Sequence, residues 1–507
     1  MPDPYDALHV YYGDLHSHSA VGYGHGSAED AFHNARLQLD FVCLTPHGWW
    51  HDIPADEPRL APLVDYHRQG FARAARQWAR VKELVRQNHQ DGAFVTFLGF
   101  EWHSCRYGDH NVYFKGDEGE IIRAEDMEAL RAALRQYRAR GIETMLIPHH
   151  IGYKAGYRGI NWAEVKGEFI HLVEIMSMHG ASESEIIPNR YLHTMGPLDW
   201  QSSLHYGLAQ GHVVGVVGST DHHSAHPGSY GHGRVAVWAT ALTRDGIWGA
   251  LTARRTVALT GDRIALQFAL NGAPMGALLP PAAERQIEVA VSGGDALETV
   301  EVLHNNRVIH RWTPPVPPAE PALPGVFKVH LELGWGERGE NVDWRVDLRV
   351  VDGDLLGVEP RLRGHEIVAP QAGEEDSYAF SDWQRVGADG VRLVTRTWGN
   401  PTTTTPATQG LCFEVRADQG TRFVGTINGQ AVDVRLADLL AGPRATYLGG
   451  FLTPVYYFHR AVPLHETTAR FALADRARSS QRDWYHVRVR QQNGHWAWSS
   501  PIWVELS

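Results

Sequence analysis

The stretch Tyr11-Tyr12-Gly13-Asp14-Leu15-His16-Ser17-His18-Ser19 decides how the rest of the chain is read. It has the make-up of a short strand ending in a His-x-His pair. Side chains alternate faces along a strand, so residues i and i+2 point the same way. His16 and His18 can therefore grip one ion together. Neutral imidazoles suit Zn, Mn or Fe ions. An isolated pair of this kind is more often incidental, so its meaning depends on what lies at the ends of the other strands.

From residue 9 to about 262, strand patterns alternate with helix patterns. The strands are expected at His9–Leu15, Asp40–Thr45, Phe94–Phe100, Glu143–Pro148, His171–Ser177, Val213–Ser219 and Thr256–Thr260. They are short and apolar on both faces, the mark of buried parallel strands. Helical spacing covers Ser27–Gln38, Tyr66–Asn88, Glu125–Arg140, Leu198–Gln210 and Arg244–Arg254, and Ser27 with Asp30 has capping-box spacing. His110–Lys115 and Arg234–Thr240 read as strands added by insertions. Repeated βα units predict an α/β barrel with its active site at the C-terminal strand ends.

Ligand-type residues recur at those ends. His16 and His18 end the first strand, and His47 follows the second. Glu101 follows the third and His149 the fourth. Glu174 and His179 close the fifth, and Asp221 and His223 follow the sixth. Scattered surface histidines would not keep that phase. Of the 30 histidines, 22 precede residue 233, which places the chemistry in the N-terminal half.

The bulk composition is that of a globular protein of 507 residues, enough for two or three domains. A net charge of −11 argues against a general nucleic-acid or anionic-membrane surface. Cys43, Cys105 and Cys412 form no disulfide framework, which fits a reducing compartment. The N-terminus has no basic and apolar leader, and no apolar run approaches the roughly 20 residues of a spanning helix. A cytoplasmic protein is expected, with a small-molecule substrate and no nucleic-acid or membrane partner. The oligomeric state is left open.

After residue 262 the helical periodicity largely stops. Strands are expected at Ile264–Leu270, Gln286–Ser292, Phe327–Leu333, Trp344–Val351, Val391–Thr397, Trp484–Val489 and Trp498–Leu506. Turns rich in Gly and Pro separate them, as in a β-sandwich. Thr313–Gly325 holds six prolines and reads as a loop, and Ala369–Asp376 reads as a possible joint. The division is therefore 1–262 for an α/β barrel and 263–507 for one or two sandwiches.

The candidate ligand set is His16, His18, His25, His47, Glu101, His110, His149, Asp221 and His223. It exceeds what one tetrahedral ion needs, so two or three divalent ions (Zn, Mn or Fe) are expected. Glu101 can bridge two ions through its two oxygens. Such clusters generate hydroxide from water near neutral pH and clamp the oxygens of a displacement centre. For His25 and His110, a loop histidine bonded to backbone is the competing reading.

Gly13-Asp14-Leu15-His16-Ser17-His18, Thr45-Pro46-His47, Gly99-Phe100-Glu101, Pro148-His149 and Gly218-Ser219-Thr220-Asp221-His222-His223 resemble the polymerase-and-histidinol-phosphatase (PHP) superfamily. The resemblance implies a distorted (β/α)7 TIM-like barrel over residues 9 to about 262, a trinuclear metal site and phosphoesterase chemistry. The ending from Tyr485 to Val504 resembles a large PHP-related family with a β-rich C-terminal half. That family is mostly of unknown function, and carbamate hydrolysis is among the activities it suggests. Carried over by position, one ion takes His16, His18, Glu101 and Asp221. A second takes His25, His47 and His223, and a third Glu101, His110 and His149. The segment Val21-Gly22-Tyr23-Gly24-His25-Gly26 departs from the superfamily pattern in lacking an acidic residue.

Glu101 and Asp221 are assigned to catalysis through the ions, and His179 is the candidate general acid. Glu174 is a candidate to orient a ligand histidine. His150, Lys154, Arg158 and Arg234 are candidate substrate binders, since an anionic substrate needs positive partners. Trp49, Trp50 and Trp102 could wall a pocket. The expected function is a metal-dependent hydrolase, with a phosphoester favoured over a carbamate, amide or carboxylic ester. The other class of reading is a metal scaffold without catalysis, whose sandwich binds a glycan or a protein.

Overall fold

The computed structural model describes residues 3–185, 189–315, 323–366, 377–477 and 482–505. The expected joint at Ala369–Asp376 and most of the proline-rich loop lie outside them. The chain is mixed α/β and rich in strands. No helix among the described residues is long and apolar enough to cross a membrane.

The N-terminal elements follow the expected order closely. They are β1 His9–Asp14, α1 Ala28–Gln38, β2 Phe41–Leu44, β3 His47–Trp50, α2 Ala61–Asn88, β4 Val95–His103 and β5 His110–Phe114. Next come α3 Met127–Ala139, β6 Thr144–Pro148, β7 Leu172–Ser177, the two-residue β8 Gly180–Ala181, α4 Leu204–Ala209 and β9 Gly215–Gly218. β10 Arg234–Ala239, α5 Arg244–Thr252 and β11 Thr256–Leu259 complete the series. β1, β2 and β4 are parallel neighbours, and β5 stands antiparallel between β4 and β6. β7 runs parallel to β9. β10 is antiparallel to both β1 and β11.

Local chemistry explains several boundaries. The Ser27 hydroxyl caps α1 by accepting from the Asp30 N–H at 2.9 Å. Asp30 does not complete a reciprocal box; its carboxylate accepts from the Tyr378 N–H instead. The helix expected over Leu198–Gln210 is cut to a single 3-10 turn, Trp200–Ser202, followed by α4. Asp199 and Ser203 use their side chains to cap Gln201 and Tyr206, which restarts the chain twice. The strand expected over Trp498–Leu506 breaks at Pro501, which has no N–H to give a ladder. β3 was not expected at all: His47 opens a short strand parallel to the end of β4.

The C-terminal half is all-strand apart from short helical turns. Residues 273–274, 265–270, 284–292 and 468–476 form one sheet, and a larger sheet centres on the long strands 342–361 and 409–427. The two have separate apolar cores, around Phe268, Ile287 and Val487 and around Trp344, Leu411 and Phe458. The sheet holding β1 does not stop at residue 262. β11 pairs antiparallel with 496–499, Val257 opposite Ser499, so the C-terminal segment extends the N-terminal sheet.

Candidate metal centre

The site is built where β1 and β9 run past their last ladder bonds. The Asp221 N–H donates to the His16 carbonyl at 2.7 Å and the His18 N–H to the His222 carbonyl at 2.8 Å. The buried Asp14 carboxylate locks this junction. It accepts from the N–H groups of His16, Thr220 and Gly228 and from the Thr220 hydroxyl. Asp221 sits in the left-handed region at φ 54°, with His150 at 31° and Arg158 at 72°. Such backbone costs of order 1–3 kcal/mol per residue and persists only where the surroundings impose it, typically at functional sites.

Three donor atoms form a tight triangle. His16 Nε2 and His18 Nε2 face each other at 3.1 Å, and Asp221 Oδ1 lies 3.2 Å from the first and 3.0 Å from the second. Ligands around one tetrahedral zinc-type ion stand about 3.4 Å apart, so these atoms have the spacing of a shared ion. His16 Nδ1 is 2.9 Å from Glu174 Oε2, which fixes its N–H there and leaves Nε2 as the lone pair. Glu174 thus takes the orienting position expected of it.

Glu101 joins this triangle to a second group. Its Oε2 faces His18 Nε2 at 3.6 Å and His47 Nε2 at 3.4 Å; its Oε1 faces His149 Nε2 at 2.9 Å and His103 Nδ1 at 3.1 Å. One carboxylate therefore looks both ways. Ligand atoms of Glu101, Asp109, His149 and His150 lie within 4.8 Å of one another, as do those of His18, His47 and His223. His223 Nδ1 donates to the Asp221 carbonyl at 2.8 Å, which turns Nε2 into the free lone pair.

His110 is not part of this group. In the β4–β5 ladder Glu101 lies opposite Asn111 and Trp102 opposite His110. Directly paired residues share a face, so His110 stands with Trp102 on the face away from Glu101. Its Nδ1 donates to the Gly108 carbonyl at 2.8 Å. The neighbouring Asp109 reaches the centre instead, with Oδ2 at 3.2 Å from His103 Nδ1 and 3.3 Å from His150 Nε2. Asp109 and His103 were both missed in the sequence. His150 is thereby a member of the cluster, on the Asp109 side.

His25 lies in the glycine-rich loop, its N–H donating to the His223 carbonyl at 2.7 Å. That loop lies directly over the ligands. A Cβ on Gly22 would come within 2.7 Å of His47 Nδ1, and one on Gly24 within 2.7 Å of the His223 carbonyl oxygen. Tyr23 stacks on the His47 ring with centroids 3.3 Å apart.

The substrate-binding candidates separate. Arg158 is in the centre: its Nε donates to Asp109 Oδ2 at 2.7 Å, its Nη2 also pairs with that oxygen, and its guanidinium lies 4.8 Å over the Trp50 ring. His179 is there too, with Nε2 at 3.0 Å from Asp221 Oδ2 and Nδ1 at 2.7 Å from the Tyr153 hydroxyl. Lys154 is exposed, beside Tyr157. Arg234 faces elsewhere: fully buried, it donates to the Gly228 carbonyl and Gln38 Oε1, tying β10 to α1. Trp102 packs on His51 in the core, away from the centre.

The electrostatics ask for cations. Glu101, Asp109, Glu174 and Asp221 are each no more than 3% exposed. Burial and the Asp109 charge push the Glu101 carboxyl well above its usual range. Asp109 and Asp221 resist the same burial and stay well below it, held by Arg158 and by His16 with His179 respectively. Burial works against charged His16 as well, but Asp221 and Glu174 carry it up to about 10, so without an ion Nε2 holds a proton that a bound cation would displace. Burial and adjacent histidines keep His18, His47 and His149 well below the usual value. Buried carboxyl groups gathered with the neutral imidazoles of His18, His47 and His149 are the donor set of hard-to-borderline divalent ions. The residues present fit such ions.

No protein-family model matches the chain. An uncharacterized protein of Chlamydia pneumoniae is 26% identical over 257 residues, covering 47% of this chain and 41% of that protein. An uncharacterized protein of Chlamydia muridarum is 28% identical over 173 residues, 31% of this chain and 28% of that protein. The chain thus spans less than half the length of these curated relatives. A two-domain protein of Bacteroides vulgatus, described as containing a predicted PHP-like metal-dependent phosphoesterase, aligns over 86% of this chain and 97% of its own. Its identity is 12% and its TM-score 0.33.

Proposed function

We propose that the protein is a metal-dependent hydrolase of phosphoesters. The observation that carries this is Glu101 reaching two ligand groups at once, His18 and His47 through one oxygen and His149 and His103 through the other. His16, His18, Glu101 and Asp221 would hold one ion. Glu101, Asp109, His149 and His150 would hold another, and His47 with His223 a third position. Divalent ions bound there supply Lewis-acid polarisation and make water a nucleophile near neutral pH.

The chain's own residues do the rest. Arg158 is the guanidinium placed to stabilise negative charge growing on a substrate oxygen, with Asp109 aligning it. His179, bridged between Tyr153 and Asp221, is placed to give a proton to a leaving group. Trp50 beneath Arg158 keeps that side dry. We read β1, β2, β4, β6, β7, β9 and β11 as the staves of a distorted PHP-type barrel over residues 1–262, with residues 263–507 as sandwich material. A cytoplasmic setting and a small-molecule substrate complete the proposal.

A second reading takes a carbamate, amide or carboxylic ester as substrate. It is favoured by the scarcity of cations: Lys154 stays at the surface and Arg234 faces α1, leaving Arg158 in the centre. Metal analysis followed by turnover assays on aryl phosphate mono- and diesters, carboxylic esters and carbamates separates the two. Phosphoester turnover abolished in Asp221→Ala supports the first. Turnover of carbonyl substrates alone supports the second, and metal content below one ion per chain removes both.

A further inference from the structure

Beside the centre lies an open cavity of about 790 Å³, lined by the apolar Tyr157, Met195, Leu198 and Trp200 and by the charged Lys154, Glu185 and Asp199. Tyr157 comes from the loop after β6, which also supplies His149 and His150, and Met195, Leu198 and Trp200 come from the segment after β8, whose turn from β7 carries His179. The cavity is one side chain away from the chemistry. Arg158 Nη1 lies 3.2 Å from Met195 Sδ in the cavity wall, while Arg158 Nε bonds Asp109 in the centre. His193, on the same loop, packs its ring 5.1 Å from that of His179.

The walls are unusual for a surface. Tyr157 is 66% and Trp200 56% exposed, two large flat side chains left in water at one mouth. Exposed apolar surface gathered around a concavity marks a binding site rather than packing. Trp200 meets Tyr206 edge-on with centroids 5.1 Å apart, and Lys154 lies 5.6 Å over the Tyr157 ring. The backbone is pinned as well, since the Asp199 N–H donates to the Gly152 carbonyl at 2.8 Å. Aromatic walls favour a flat apolar guest, because stacking on a two-torsion side chain orders few new torsions.

We infer that this cavity receives a flat aromatic group of the substrate, attached to the bond that the centre cleaves. The inference rests on the reading of the cluster as a reaction centre. It adds a substrate class, aryl rather than small alkyl esters, and names Trp200, Tyr157 and Leu198 as specificity determinants.

Isothermal titration of the metal-loaded full chain with 1-naphthylphosphonate and with methylphosphonate tests this, since neither can be hydrolysed at phosphorus. The wild type is expected to bind the naphthyl compound at least about tenfold more tightly than the methyl compound. Trp200→Ala and Leu198→Ala are expected to cut that preference to about threefold or less, with the metal count unchanged, and Trp200→Phe to keep it. Equal binding of the two compounds, no binding of either, or a full preference in both alanine variants overturns the inference. A preference that Trp200→Ala removes, in a protein that turns over no ester, leaves the cavity standing and removes the hydrolase reading. Turnover without the preference removes the cavity alone.

Discussion

His16 Nε2 and His18 Nε2 face each other across 3.1 Å with Asp221 Oδ1 closing the triangle. Two lone pairs at that distance repel unless a proton or a cation lies between them, and Glu174 already holds the His16 N–H on the other side of the ring. The centre is thus shaped for a cation before one arrives. Preorganised donors of this kind avoid the cost of gathering ligands at the moment of binding.

The first consequence concerns Glu101. Because its two oxygens serve different histidine pairs, Glu101→Ala is expected to lose more than one ion and to lower turnover by about 10³-fold or more. Metal content by mass spectrometry, alongside the rate, checks it. Loss of a single ion with activity kept would show that the carboxylate serves one group only.

The second concerns the pair Asp109 and His110, where sequence and structure disagree. Asp109→Asn is expected to lower metal content and activity, whereas His110→Ala leaves the metal count intact and costs packing beside Trp102 and the bond to the Gly108 carbonyl. Metal analysis of the two purified variants decides. A deficit in His110→Ala with none in Asp109→Asn would reverse the assignment.

That disagreement shows what the sequence could carry. The order of strands apart from β3 and β8, the placing of His16, His18, His149 and Asp221 just past strand ends, and the insertion of β5 are legible from apolar patterning, because each depends on local periodicity. Which face His110 takes depends on the register of the β4–β5 hairpin. A slip of one residue exchanges Asp109 and Asn111 for His110. The loop from Ser104 to Gly108 sets that register, through the Ser104 N–H on Asp109 Oδ1 and the Asp52 carboxylate on the Cys105 and Arg106 N–H groups. Asp52 lies more than 50 residues away in sequence and leaves no local pattern. His103 is hidden for a simpler reason: β4 runs on to His103, past Phe100, where its apolar pattern ends. Arg234 looked like an anion binder because only its charge is visible in the sequence, not its bonds to Gly228 and Gln38.

Arg158 supplies a third test. Arg158→Met is expected to lower kcat/KM by about 10²–10³-fold while metal content stays near that of the wild type. Arg158→Lys keeps the charge but not the planar fork over Trp50, so it should recover only part of the loss. A parallel fall of metal content and rate in both variants would make Arg158 a support for Asp109 rather than a partner of the substrate.

The last test leaves the metal centre and uses the joint between the two halves. Asp262, fully buried, pairs with Arg361 at 3.1 Å and accepts from the Tyr230 hydroxyl and from Gln491 and Asn493. These partners come from the loop before β10, the long strand 342–361 and the C-terminal segment, so one carboxylate ties together parts of the chain far apart in sequence. Burial alone would raise its pKa, but the Arg361 charge wins and holds the carboxyl well below the usual carboxylate range. A carboxylate depressed in the folded state binds protons less readily there than in the unfolded chain. Its stabilisation is therefore complete above the unfolded value of about 4 and fades as the pH falls below it. Urea unfolding at pH 7, 5, 4 and 3 should show stability dropping through the acid range. Asp262→Asn should be less stable at pH 7 by about 3–5 kcal/mol, because Arg361 is left buried without its partner. The acid slope of the variant should also be shallower than that of the wild type. Parallel pH–stability curves for the two proteins would show that other carboxylates govern acid unfolding and that Asp262 contributes geometry alone.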